Sequence, residues 1–124
     1  IEASGNGSIL FTASMSSFLG IPNVIGYSAA KAAHVGMVRA LATELAPRGV
    51  RVNGVAPGWI DTPLFRKATA SDPARRAKID GRIPMGRLGQ GADIGWAMTY
   101  LASPAANYVT GHILVVDGGA LHGF

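Results

Sequence analysis

Three short β-branched or apolar runs punctuate the chain: Ser8 to Ser14, Val50 to Pro57, and, with no alternation, Ile113-Leu-Val-Val-Asp117. Runs of this kind predict strands covered on both faces, because a strand wet on one side would alternate. Between them the period becomes helical. From about Val24 to Ala46, Val38, Leu41, Ala42 and Leu45 form one apolar stripe, whereas Ala29, Ala30, Ala32, Ala33 and Gly36 leave the first half small on every side, a helix that two neighbours can pack against. Arg48-Gly49 should end it, with a cation at the negative end of the dipole and a glycine suited to a left-handed cap. Ala92 to Ser103 repeats the logic, with Ile94, Ala97, Met98 and Leu101 inward and Ser103-Pro104 as the stop.

The order β-α-β-α-β predicts an α/β domain with a doubly wound parallel sheet, right-handed crossovers and three neighbouring strands. Ligands of such sheets sit outside the carboxyl ends of the strands, where Ser14, Pro57-Gly58 and Asp117-Gly118-Gly119 fall. The stretch from Trp59 to Gly91 is charged, broken by Pro63, Pro73 and Pro84, and carries only short helical patterns; it is expected to be a mobile lid over the site.

Composition narrows the class. With 124 residues, 48% hydrophobic and 15% charged, the chain is at most one soluble globular domain with a substantial core. The absence of cysteine excludes disulfides and thiolate metal sites. No apolar run approaches the roughly 20 residues of a membrane span, so a cytoplasmic protein without membrane contact is expected. The net charge is +4, and seven of the eleven Lys and Arg residues fall in the lid: Arg66, Lys67, Arg75, Arg76, Lys78, Arg82 and Arg87. A solvated helix face, diluted by Asp72 and Asp80, is the plainer reading; a landing site for phosphate or an acidic carrier protein is the sharper one. Nucleic acid is disfavoured, since no aromatic residue lies between Phe65 and Trp96 to stack on bases. His34 reads as a packed helix residue, and His112 and His122 are too scattered for a metal site.

The candidate chemistry centres on Tyr27-Ser28-Ala29-Ala30-Lys31. Four residues of helix advance about 6 Å and nearly complete a turn, so the Lys31 ammonium can lie close to the Tyr27 oxygen. A free tyrosine titrates near ~10, and a neighbouring cation favours the phenolate. Ser14 closes one predicted strand and Pro57-Gly58 another, both on the rim where Tyr27 belongs.

Ser14, Tyr27-x-x-x-Lys31, Asn53-x-x-x-Pro57-Gly58-x-Ile60-x-Thr62 and Val116-Asp117-Gly118-Gly119 together resemble the C-terminal half of a short-chain dehydrogenase/reductase, over nearly the whole chain. The resemblance implies a Rossmann-like fold, with residues 1–124 forming the catalytic and lid half of a single domain whose other half carries the glycine-rich phosphate loop. It implies NAD or NADP as cofactor, the choice resting on residues outside this sequence. It further implies Tyr27 as acid/base, Ser14 as donor to the substrate oxygen, and Lys31 as the cation that assists Tyr27 and holds the nicotinamide ribose. Pro57 and Gly58 would lie against the nicotinamide, Ile60 would offer its main chain to the carboxamide, and Thr62 its hydroxyl to the carboxamide or pyrophosphate.

Pro57-Gly58 suits such a role because a glycine has no Cβ to collide with a flat ring. Met15, Ser16, Phe18 and Trp59 flank these positions and are candidates for the substrate pocket, with core or lid packing the plainer role for Phe18 and Trp59.

The substrate implied is a small alcohol or ketone, such as a sugar acid or polyol. Ser17-Phe-Leu-Gly-Ile-Pro-Asn-Val24 is similar to stretches in gluconate-type dehydrogenases of the family. The basic lid suggests a 3-oxoacyl-carrier-protein reductase, with acyl-carrier protein as partner, as the alternative. A catalytically incompetent module that serves only assembly is the reading of another class. The small-sided helix predicts self-association, and the resemblance implies a homodimer or homotetramer.

Overall fold

The computed structural model describes residues 2–123. Three parallel strands, β1 (Gly7–Thr12), β2 (Val50–Pro57) and β3 (Ile113–Val116), form one sheet in the order β1-β2-β3. Gly7 pairs with Val50 and Thr12 with Val55, and Gly54 to Pro57 run beside Ile113 to Val116. The helices are α1 (Ile25–Leu45), α2 (Pro63–Thr69), α3 (Pro73–Arg82) and α4 (Gly91–Ala102). The predicted lid therefore contains two short helices, each opened by a proline at its start and capped by Thr62 or Asp72.

Alternation along β2 sends its residues to two faces. On one face Val50 and Val52 meet Val38 and Ala42 of α1, with Ile9, Phe11, Leu41, Leu45 and Ile113 around them. This is the stripe expected from the helical period, and Val38 and Val52 are fully buried. On the other face Arg51 donates to the carbonyls that end α4, to Leu101 O at 2.6 Å and to Ala102 O and Ser103 O at 3.4 Å. A cation there meets the negative end of the helix and its unpaired carbonyls. Asn53, also fully buried, donates to Val109 O at 2.8 Å and accepts from His112 N at 3.0 Å. It thus lines up the loop that enters β3.

Gly49 ends the connection from α1 with φ +72°, the left-handed cap the sequence called for, and a Cβ there would also crowd Gly5 O at 3.0 Å. The small-sided first half of α1 is covered on one side only. Ala29, Ala30, Ala32, Ala33 and Gly36 are exposed, as are Ile25 and Met37. A second seam lies under the lid, where Met15, Ile79, Ile83 and Ala120 are buried with Leu19, Trp59, Phe65, Leu88 and Leu121 against them. No helix among the described residues is long and apolar enough to cross a membrane, and they contain no group of side chains able to hold a metal ion.

Candidate active site

β1 stops at Thr12, two residues before the serine expected to close it. Ser14 instead caps a 3-10 turn over Met15–Ser17: its Oγ accepts from Ser16 N at 3.1 Å, and Ser17 Oγ accepts from Ser14 N at 3.2 Å. A hydroxyl that accepts one bond through a lone pair keeps its proton to donate elsewhere. Ser17 Oγ also donates to Lys31 O at 2.8 Å, tying the turn to the second coil of α1.

Tyr27 lies in the first turn of α1 and is 52% exposed. Lys31 Nζ sits 5.8 Å from the centre of the Tyr27 ring and donates to Thr12 O at 2.8 Å, at the carboxyl end of β1. No carboxylate among the described residues pairs with it, so its charge is not cancelled locally. Ser14, Tyr27 and Lys31 are therefore brought to one end of the sheet, linked through Thr12 O and Ser17. One turn further on, His34 packs its ring against Phe11, 5.6 Å between centres, as a helix residue facing the sheet.

Gly58 is needed for a reason besides the one expected. A Cβ added there would come within 2.6 Å of Asp117 Cβ and 2.8 Å of Asp117 Cα, so the missing side chain also makes room for the neighbouring turn. Asp117 is itself pinned: its carboxylate accepts from Gly119 N at 2.9 Å and Leu121 N at 2.7 Å. The turn after β2 and the turn after β3 thus fit against each other.

The loop after Gly58 bends back onto residue 89. Gly89 N donates to Trp59 O at 3.0 Å and Asp61 N donates to Gly89 O at 2.8 Å, which makes Ile60 the centre of a single parallel bridge. In that pattern the N–H and C=O of Ile60 point away from Gly89. Thr62 Oγ1 accepts from Phe65 N at 3.1 Å and keeps its proton to donate. These unspent groups suit a planar amide, which offers both a donor and an acceptor.

The flanking residues expected to share a substrate pocket fall into two groups, Met15 and Trp59 at the lid seam and Ser16 and Phe18 on a groove along α1. A 3-10 turn has about three residues per coil and fans successive side chains apart. Met15 turns inward to the lid seam, 2% exposed, and Ser16 lines an open groove with Phe18, Ser28, Ala29 and Ala32. At 3.6 residues per turn that face of α1 is rotated well away from Tyr27 and Lys31. Trp59 packs on the lid seam and lines a cavity of about 230 Å³ between the Ile60–Gly89 bridge and the end of β3.

Three of the seven basic residues of the lid are matched by an aspartate. Arg66 meets Asp61 at 2.7 Å, Arg76 meets Asp80 at 2.9 Å, and Arg87 meets Asp93 at 3.2 Å. The Arg66 guanidinium holds the Asp61 carboxyl below its ordinary range, and Asp61 in turn raises Arg66. Asp93 is lowered first by the bond from Gln90 N and then by Arg87. From the sequence Asp61 and Gly89 were given no role, and Ser17, Arg66 and Asp117 were noted only as parts of a similar stretch, of the basic lid and of the rim motif. The three-residue spacing of Ser14 and Ser17, a capping-box interval, was the one local signal available.

The geometry can be compared with known proteins. The family model described as Enoyl-(Acyl carrier protein) reductase matches residues 1–121. A 2-dehydro-3-deoxy-D-gluconate 5-dehydrogenase of Pseudoalteromonas atlantica is 49% identical over 114 residues, 92% of this chain and 44% of that protein. A 3-oxoacyl-(acyl-carrier-protein) reductase of Thermotoga maritima is 41% identical over 114 residues, 92% of this chain and 45% of that one. The crystal structure of a gluconate 5-dehydrogenase from Burkholderia cenocepacia, in complex with NADP and tartrate, superposes with a TM-score of 0.92 at 33% identity, covering 99% of this chain and 48% of that one. The chain spans about half the length of the curated relatives it matches. With the parallel sheet, the Tyr27–Lys31 pair on α1 and these matches in hand, the chain belongs to the short-chain dehydrogenase/reductase family.

Proposed function

We propose that this chain forms the proton-transfer and nicotinamide-side part of an NAD(P)-dependent dehydrogenase that interconverts a secondary alcohol and a ketone, with a sugar acid as the substrate class. The observation that carries the reading is Lys31: its ammonium is anchored on Thr12 O, lies 5.8 Å from the Tyr27 ring and meets no neutralising carboxylate among the described residues. Tyr27, half open to solvent, moves the proton to or from the substrate oxygen, and Lys31 stabilises the negative phenol oxygen between the two states. Ser14 donates its free proton to the same substrate oxygen, where charge develops. The nicotinamide, when bound, supplies or accepts the hydride at the carbon. Lys31, the Ile60 main chain and the Thr62 hydroxyl would hold it beside Pro57 and Gly58.

Two features favour a sugar acid over an acyl-carrier substrate. Arg66, Arg76 and Arg87 are each held by an aspartate, so three of the seven basic residues of the lid are already engaged and not open to an acidic carrier. The relative named for a gluconate-type substrate is 49% identical, against 41% for the one named as an acyl-carrier-protein reductase, over the same share of the chain. The exposed small face of α1 suits a second copy of the helix, which makes a homodimer or homotetramer the assembly proposed.

The test is Tyr27→Phe in the full-length protein. Turnover on polyhydroxy acids with NAD(P) should fall by about 10²–10⁴, the usual contribution of a placed acid/base, while the cofactor still binds. Unchanged turnover would sink the assignment of Tyr27. Higher kcat/KM on acyl-carrier thioesters than on polyhydroxy acids would replace the substrate class and leave the proton chemistry intact.

A further inference from the structure

Asp61 stands between the two residues whose polar groups remain unspent, Ile60 and Thr62, and its own carboxylate is fully used. Arg66 Nε donates to Asp61 Oδ1 at 2.7 Å and Arg66 Nη2 to Asp61 Oδ2 at 2.9 Å, a planar two-bond fork. Arg66 belongs to α2, so one carboxylate joins the loop to the lid helix. The same loop is tied to Gly89 on both sides of Ile60, and Thr62 caps α2 through Phe65 N. Main-chain bonds fix the loop along one edge, and the fork fixes its roll about that edge.

Exposed ion pairs contribute little to folding. With the Arg66 side chain 67% exposed and that of Asp61 24% exposed, this pair is of that kind. What it supplies is orientation. If the carboxylate is released, the Asp61 N bond to Gly89 O still holds the peptide plane that carries the Ile60 carbonyl, but the next plane, which leads into Thr62, can turn and change the spacing between the two residues. The chemistry at the loop also selects its ligand. A carboxamide offers both a donor and an acceptor, which the Ile60 main chain and the Thr62 hydroxyl together can meet.

We propose that Asp61 and Arg66 are positioning residues for the nicotinamide carboxamide, the fork holding the Ile60 main chain and the Thr62 hydroxyl at a fixed mutual spacing and coupling that loop to lid helix α2. The inference rests on the functional reading above and adds to it two residues that touch neither cofactor nor substrate.

The experiment measures binding as well as rate, on the full-length protein. The dissociation constant of NADH or NADPH is taken from quenching of tryptophan fluorescence, for which Trp59 is a local reporter two residues from Asp61. ADP-ribose, which lacks the nicotinamide, serves as control. Asp61→Asn and Arg66→Ala should each weaken the reduced cofactor on the order of fivefold, the double variant no further than the worse single, and ADP-ribose binding should change less than about twofold. Arg66→Lys, which keeps the charge and loses the fork, should fall between wild type and Arg66→Ala. The KM for cofactor should rise while kcat at saturating cofactor changes much less.

Wild-type affinity in Asp61→Asn overturns the inference and leaves the dehydrogenase reading standing. Equal loss of ADP-ribose and of the reduced cofactor also overturns it, because that is general damage. If the wild-type protein binds no nicotinamide nucleotide, the functional reading fails first and the inference with it.

Discussion

At Gly58 the space for a side chain is already taken by Asp117. The obstruction is backbone and Cβ at 2.6 to 2.8 Å, not the far end of a flexible side chain, so an added methyl group has to push two turns apart. Gly58→Ala should therefore cost about 1–3 kcal/mol of stability, the usual range for overpacking a tight contact, read as a lower urea midpoint. An unchanged midpoint would show that the turns separate freely. Tyr27 and Lys31 are the opposite case, because four residues of helix set their spacing without help from elsewhere. What holds Lys31 is Thr12 O, nineteen residues back, and no pattern around the lysine marks that acceptor.

The elements follow the hydrophobic period closely. The stripe Val38, Leu41, Ala42 and Leu45 is the face that α1 presents to β2, and Leu101 is the buried end of the predicted stripe on α4. Element ends were harder to read. The apolar run continues through Ala13 to Ser14, but the side-chain bonds of Ser14 and Ser17 favour a turn over the last strand pairs.

At the start of α4, Asp93 accepts from Gln90 N at 2.8 Å and meets Arg87 at 3.2 Å, which lowers its carboxyl from the ordinary value of 3.8. A carboxyl depressed in the folded state stabilises the fold above its unfolded value, and that stabilisation is lost as the pH falls through the lower folded value. The stability gap between wild type and Asp93→Asn should be constant from neutral pH to the ordinary carboxylate range and should close below it. Denaturation at a series of pH values would check this; a gap that persists in acid would mean that Asp93 acts by shape alone.

For the molecule as a whole, the sheet is three parallel strands with α1 on one face and α4 on the other, and the candidate site sits at the carboxyl ends, as the topology requires. The exposed stripe of Ile25, Ala29, Ala33 and Gly36 recurs at intervals of four, four and three on α1 and is small enough for close helix approach. If two copies pair there, Ala29→Glu with Ala33→Glu should shift the full-length protein to a smaller species in sedimentation and leave its helical content unchanged. An unaltered sedimentation coefficient would remove this face as the interface.

Spacing within an element was legible because backbone geometry alone fixes it. The helical period, the four-residue step from Tyr27 to Lys31, the proline starts and the Gly49 cap all belong to that class. Contacts between distant segments were not legible, since nothing local encodes which carbonyl, carboxylate or strand a residue will meet. Arg51 on the end of α4, Asn53 on the 109–112 loop, Asp117 against Gly58 and the inward turn of Met15 were decided by packing, in which a buried polar group must find its partners and two atoms cannot share one space.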